Sequence, residues 1–262
     1  MNPTEPTRFG PAADHLTRHP HASEAALADA LAHDIAQRLS AAIEARGQAL
    51  LCVSGGKSPV PLFQALSGLP LPWAQVTVTL VDERCVPAEH ADSNAALVRQ
   101  HLLQGPAAAA RFLAWVPPTH TPDHTRVQRP AWPQARAVYA EWVEALNTQL
   151  APLWPADVVV LGMGLDGHTA SIFGQGEGMA DALSTPDLVV ATRPPHAPHD
   201  RLTLSLAALQ GARHRVLQIS GAGKAQVLQQ ALQAPNKARP VGLVLQPGAA
   251  NPSHTVSVWM GA

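Results

Sequence analysis

In the stretch VVVLGMGLDGHTASIF, residues 158 to 173, an apolar run meets a glycine-rich turn that sets Asp166 and His168 one residue apart. A carboxylate near an imidazole holds one tautomer and stabilises the imidazolium, which makes such a histidine a competent general base near neutral pH. Gly162, Gly164 and Gly167 leave little side-chain bulk around the pair. Their spacing also spells a dinucleotide fingerprint, but the motif falls late in the chain and no acidic residue suited to a ribose follows about 20 residues on, which argues against NAD. Taken alone, the turn leaves a catalytic and a structural histidine equally open.

Two more polar turns follow apolar runs. In VSGGKSP, residues 53 to 59, two glycines permit close backbone approach and Pro59 can begin a helix, so amides could converge on an anion there. Lys57 and Ser58 add donors, yet the spacing is not that of a nucleotide phosphate loop, and a plain tight turn remains an equal reading. In VDERCVPAEHADSN, residues 81 to 94, Asp82, Glu83 and Arg84 arrive together at the end of a strand. Three charges in a row are hard to bury without a purpose; a solvated loop is the competing reading.

The elements that must position these turns are legible as periodicity. Ser23 can cap a helix in which Leu27, Leu31, Ile35, Leu39 and Ile43 recur every four residues, with Gly47 as its stop. Apolar runs at 49–53, 76–81, 157–162, 187–192, 201–206, 215–220, 241–246 and 255–259 predict strands, and helical patterns fall near 59–67, 92–103, 132–150 and 223–234. This alternation predicts a single α/β domain over 1–262, a modified Rossmann-like, mostly parallel sheet with helices on both faces, after a flexible arm over 1–21. In such sheets ligands bind outside the carboxyl ends of the strands, where all three turns fall. The Pro- and Ala-rich segment 104–130 is expected to be a surface excursion inside that domain, with Trp115, Trp132 and Trp142 packing within the monomer.

Composition narrows the partners. With 18 basic and 19 acidic residues the formal charge is −1, so no global field draws in nucleic acid or an anionic membrane surface. Any anionic ligand must be caught by local chemistry. Cys52 and Cys85 are the only cysteines and are expected to be reduced thiols. No apolar run approaches the roughly 20 residues of a membrane span and no secretory leader is visible, so a cytoplasmic protein is expected. The 13 histidines cluster in segments such as RHPHA, PPTHTPDHTR and RPPHAPHD that look like loops rather than a helix that could present zinc ligands, so no metal is expected. The sequence leaves the oligomeric state open and favours a monomer.

Together, SGGKSP, VDERCVP with DSN ten residues after Asp82, LGMGLDGHTASIF, RLTLS and GAGK, in that order, resemble the 6-phosphogluconolactonase family across roughly residues 22 to 260. The resemblance implies hydrolysis of 6-phospho-D-glucono-1,5-lactone to 6-phosphogluconate, a step of the oxidative pentose phosphate pathway, on the fold shared with sugar-phosphate isomerases and deaminases. It makes His168 the base that takes a proton from water, with Asp166 orienting it. Arg84 stabilises the oxyanion or positions the water, and Asp82 shapes the same region. The 6-phosphate falls to the amides and hydroxyl of Ser54, Gly55 and Gly56, together with Arg201 and Lys224. No cofactor is required. Many relatives have Ser or Thr at the position of Lys57, so no role is carried onto it, and Gly174 stands where the family often has proline.

The nearest competitor is a glucosamine-6-phosphate deaminase, whose relatives usually carry a DEY-like motif and a ring-opening glutamate five residues after the histidine. Here those places hold DER and Phe173. A non-catalytic sugar-phosphate sensor is the alternative from another class. It would normally add a DNA-binding module, and the 22 residues before the first helix are too few for one.

Overall fold

Ser23 opens the first helix as the spacing predicts. In extended backbone its hydroxyl accepts the Ala26 amide at 3.2 Å, and the chain runs as α1 (Glu24–Arg46) until Gly47, whose φ of 75° ends it. Leu27, Leu31, Ile35 and Leu39 on its apolar stripe are buried. The computed structural model describes residues 15–116, 130–248 and 254–262.

The remaining elements in chain order are β1 (Leu16–His21), which precedes α1, then β2 (Ala49–Val53), α2 (Val60–Ser67), β3 (Val76–Leu80), β4 (Asp82–Arg84), α3 (Asn94–His101), β5 (Arg111–Phe112), α4 (Trp132–Leu150), β6 (Val158–Leu161), α5 (Met179–Ser184), β7 (Val189–Thr192), β8 (Arg201–Leu204), α6 (Leu206–Gly211), β9 (His214–Ser220), α7 (Ala222–Gln233), α8 (Pro240–Val244) and β10 (Thr255–Gly261). Seven strands form a parallel sheet in the order β1, β10, β9, β6, β2, β3, β5. Every residue of β2 and β6 is buried, which is why both read as continuous apolar runs rather than alternating ones. The order reverses about β2, with β3 and β5 on one side and β6, β9, β10 and β1 on the other. The crevice at such a reversal is where open α/β sheets bind ligands. None of the helices in the described residues is long and apolar enough to cross a membrane.

Several expectations need correction. The runs at 187–192 and 201–206 do form strands, but β8 pairs antiparallel with both β4 and β7 in a separate three-stranded sheet, and Asp82 to Arg84, placed by the sequence at the end of a strand, form a strand of their own. The run at 241–246 is the helix α8: short apolar runs do not distinguish strand from helix by period, and Pro240 sits at its first turn. The arm expected over 1–21 is structured from Leu16, because β1 pairs parallel with β10 at the edge of the sheet. Its polarity, ordinary for an edge strand, hid it. His19 and His21 of the RHPHA segment therefore lie in a strand, stacked on Trp259 at 4.1 and 5.4 Å between centroids. Residues 1–14 and the PPTHTPDHTR segment lie outside the described residues. Of the excursion's tryptophans, Trp115 and Trp142 are buried in the core, as expected.

Candidate active site

The turn after β6 folds back on itself. The Gly164 amide donates to the His168 carbonyl and the Gly167 amide to the Gly164 carbonyl, both at 3.0 Å, with Gly167 in the left-handed region at φ 81°. This brings His168 Nδ1 within 2.5 Å of Asp166 Oδ1, which also accepts the His168 amide at 3.2 Å. A neutral imidazole bonded to a carboxylate carries its proton on that nitrogen, leaving Nε2 as the acceptor; Nε2 has no partner among the described residues. Gly164 is required by this packing, since a Cβ there would lie 2.3 Å from the imidazole and 2.5 Å from Asp166 Oδ1. Phe173 stacks on the ring at 4.3 Å between centroids. Ala170, two residues on, takes φ 50°, an unfavourable conformation for a residue with a Cβ and one that tends to be stored at functional sites.

The turn after β2 sits directly beside it. Ser54 donates both its amide, at 3.1 Å, and its hydroxyl, at 2.9 Å, to the Val160 carbonyl, and its oxygen accepts the Gly162 amide. Ser54 thus ties the ends of β2 and β6 together, and the amide and hydroxyl that the resemblance assigns to the phosphate both bond the Val160 carbonyl. The amides of Gly55, Gly56, Lys57 and Ser58 donate to nothing among the described residues, and they lead into the N-terminus of α2. Gly55 admits no side chain, because a Cβ would fall 1.7 Å from Asn94 Oδ1.

That contact explains why DER and DSN travel together. The buried Glu83 carboxylate accepts the amides of Arg84, Asn94 and Ala95 at 2.7 to 2.8 Å and the Ser93 hydroxyl at 3.0 Å. It therefore satisfies the N-terminus of α3, where orphan amides favour a negative charge. Burial pushes the Glu83 carboxyl above its ordinary range, against the pull of these four donors. Asn94 Nδ2 in turn donates to the Asp82 carbonyl at 2.8 Å, and Asp82 Oδ2 accepts the Ser171 hydroxyl at 2.6 Å. Sequence reasoning gave Glu83, Ser93 and Ser171 no job; Glu83 followed three residues before a capped helix would have been readable, but its cap lies ten residues away.

Arg84 on β4 and Arg201 on β8 are register partners in the antiparallel pair. Arg201 is buried, and among the described residues no carboxylate lies within ion-pair distance of it. Burial first, and then the like charge of Arg84, pull its guanidinium below the usual arginine range. Two adjacent guanidinium groups of this kind are relieved by an anion. The loop leading to Arg201 is clamped: Arg193 grips Asp200 through Nε at 2.6 Å and Nη2 at 2.8 Å, and the Tyr139 hydroxyl donates to Asp200 at 2.9 Å. None of these three was singled out from sequence. Cys52 and Cys85 are free and buried, and burial raises both thiols, so they stay protonated and inert.

A cleft of about 240 Å³ lies over these turns, lined by His168, Asp82, Arg84, Arg201, Lys224 and the Ser54–Gly56 backbone. Asp166 stands behind His168 and does not line it. One imidazole with a carboxylate behind it, two guanidinium groups, an ammonium and a run of unspent amides can bind a phosphorylated molecule and activate water against it.

A family model described as glucosamine-6-phosphate isomerases/6-phosphogluconolactonase matches residues 22–255. The chain is 43% identical over 219 residues to a 6-phosphogluconolactonase of Pseudomonas putida, covering 82% of each. It is 40% identical over 229 residues to that of Neisseria meningitidis serogroup A, covering 87% of this chain and 93% of the relative. The crystal structure of a 6-phosphogluconolactonase from Shewanella baltica superposes with a TM-score of 0.82 at 37% identity, covering 95% of this chain and 99% of that one.

Proposed function

The chain belongs to the 6-phosphogluconolactonase family, and from that membership we propose that its cleft hydrolyses 6-phospho-D-glucono-1,5-lactone to 6-phosphogluconate with His168 as general base. Water, held at Nε2, gives up a proton as its oxygen bonds to the lactone carbonyl carbon. Asp166, on Nδ1, fixes the tautomer and stabilises the imidazolium. Arg84 meets the negative charge that develops on the carbonyl oxygen. The tetrahedral intermediate collapses by breaking the bond to the ring oxygen, which takes the proton back from the imidazolium. The products balance as one hydroxyl acid per lactone and water.

Arg201, Lys224 and the amides from Gly55 to Ser58 hold the phosphate. Asp82 offsets the repulsion between the two arginines. A phosphorylated sugar is retained behind a membrane by its charge, so the reaction belongs in the cytoplasm. The observation that carries the assignment of the base is the contact of Asp166 with His168 at the reversal of the sheet. Phe173, packed on the imidazole, leaves no carboxylate at the place where isomerising relatives carry their ring-opening glutamate.

The test is the rate of lactone hydrolysis, with substrate generated in situ, for wild type and His168→Ala against a blank without enzyme. A wild-type rate well above the blank that falls by about 10² to 10⁴ in a folded variant is expected. A variant that retains the wild-type rate removes His168 as the base.

A further inference from the structure

At the rim of the cleft, beyond the groups assigned to hydrolysis, two loops bring His90, Asp92 and His199 together. Their ligand atoms all lie within 4.8 Å of one another. Asp92 Oδ2 is 2.9 Å from His199 Nε2 and 3.9 Å from His90 Nδ1, and the two imidazoles meet edge to face at 5.4 Å between centroids. Asp92 and His199 are 107 residues apart in the chain, so no spacing in the sequence could announce the cluster. The expectation of no metal rested on the loop-like setting of the histidines and on ligand spacings within short segments.

We propose that His90, Asp92 and His199 form a binding site for a divalent transition-metal ion of the zinc class, separate from the hydrolytic machinery. Two imidazoles and a carboxylate are a ligand set that zinc accepts, with the fourth position left to water. A tetrahedral ion at about 2.0–2.1 Å from each ligand sets the ligand atoms roughly 3.4 Å apart. The separations of 2.9 and 3.9 Å straddle that value, so movements of about half an ångström on exposed loops complete the geometry. Contacts among these groups must yield: the Asp92 amide donates to His90 Nδ1 at 3.0 Å, His199 Nε2 shares a proton with Asp92 Oδ2 at 2.9 Å, and the ion takes both imidazole lone pairs.

The backbone gives the site its setting. The Asp92 carbonyl accepts an N–H of Arg84, and the His199 carbonyl accepts Arg201 Nη1 at 2.8 Å. An ion bound here bridges the two loops from which both arginines are held, without touching either guanidinium.

Cobalt(II) is the probe, because its visible absorption reports a tetrahedral site that includes nitrogen ligands, and zinc displaces it. Wild type is expected to bind one equivalent of Co²⁺ with intense visible bands that Zn²⁺ abolishes. His90→Ala and His199→Ala, each verified as folded by its thermal melt, are each expected to weaken binding at least tenfold. Absence of the bands in wild type, or bands that persist undiminished in either variant, overturns the proposal. Retention in both would place the ion on other histidines of the chain.

Discussion

Gly164→Ala separates the position of the base from its presence. The new Cβ would stand 2.3 Å from the imidazole, whereas carbon contacts settle at about 3.5 Å, so the ring must recede by about 1.2 Å. The backbone at 164 is not left-handed, so alanine adds no strain of its own. The imidazole faces a cleft and has room to move, which keeps the cost to the fold within about 1 kcal/mol. A misplacement of about 1 Å at a reacting group costs roughly 10²-fold, and complete loss of a general base costs about 10² to 10⁴. The kcat of Gly164→Ala should therefore fall about 10²-fold and come close to that of His168→Ala, with an almost unchanged thermal midpoint. The assay is hydrolysis of in situ lactone, corrected for the spontaneous rate, beside a melt of each variant. A folded Gly164→Ala enzyme with wild-type kcat would refute the reasoning that the glycine exists to admit the Asp166–His168 pair.

Arg201→Gln removes a charge-assisted contact of roughly 1.5–3 kcal/mol, so kcat/KM for the phosphorylated lactone should drop about 10- to 150-fold while the unphosphorylated lactone is turned over as before; equal losses on both would take Arg201 away from the phosphate. His214, buried between the Thr255 and Ser257 hydroxyls, is pushed down to about 4 by burial and then by Arg38. Because a depressed folded value favours the neutral form, its contribution is present above the unfolded value near 6.5 and is lost as pH falls toward 4, by about 3 kcal/mol. Urea unfolding from pH 7 to 4 should show that loss in wild type and not in His214→Gln, and parallel slopes would reject it.

What the sequence made legible follows from locality. The α1 cap, its apolar stripe and the Gly47 stop are all written within two dozen residues, and the structure repeats them. The turns after β2 and β6 were readable because glycine marks backbone that must approach something closely. Glu83 was not readable, because its partners are the amides of a helix ten residues on, and a carboxylate followed by arginine looks the same whether it is solvated or buried. The clamp of Arg193, Tyr139 and Asp200 joins α4 to a loop about sixty residues later, and only the fold brings them together. The bond of the Ser54 hydroxyl to the Val160 carbonyl is hidden for the same reason, since only the fold places β6 alongside β2.

A net charge of −1 and a cleft that must hold a phosphate are reconciled by where the positive charges lie. Arg84 and Arg201 are opposed across a two-strand pair, one of them buried, so their mutual repulsion is relieved when an anion enters. The chain does not need a basic surface, since attraction is generated at short range, where solvent screens least. That arrangement is costly to the fold by itself, and the surroundings show how it is offset. Asp82 lies beside the pair, Glu83 anchors the strand that carries Arg84, and Asp200, the residue before Arg201, is held by Arg193 and Tyr139. The residues that sequence reading missed, Glu83 and the Arg193–Tyr139–Asp200 clamp, are thus ones that hold an unfavourable pair of charges in place, and each acts on partners distant in the chain, where residue type gives the least warning.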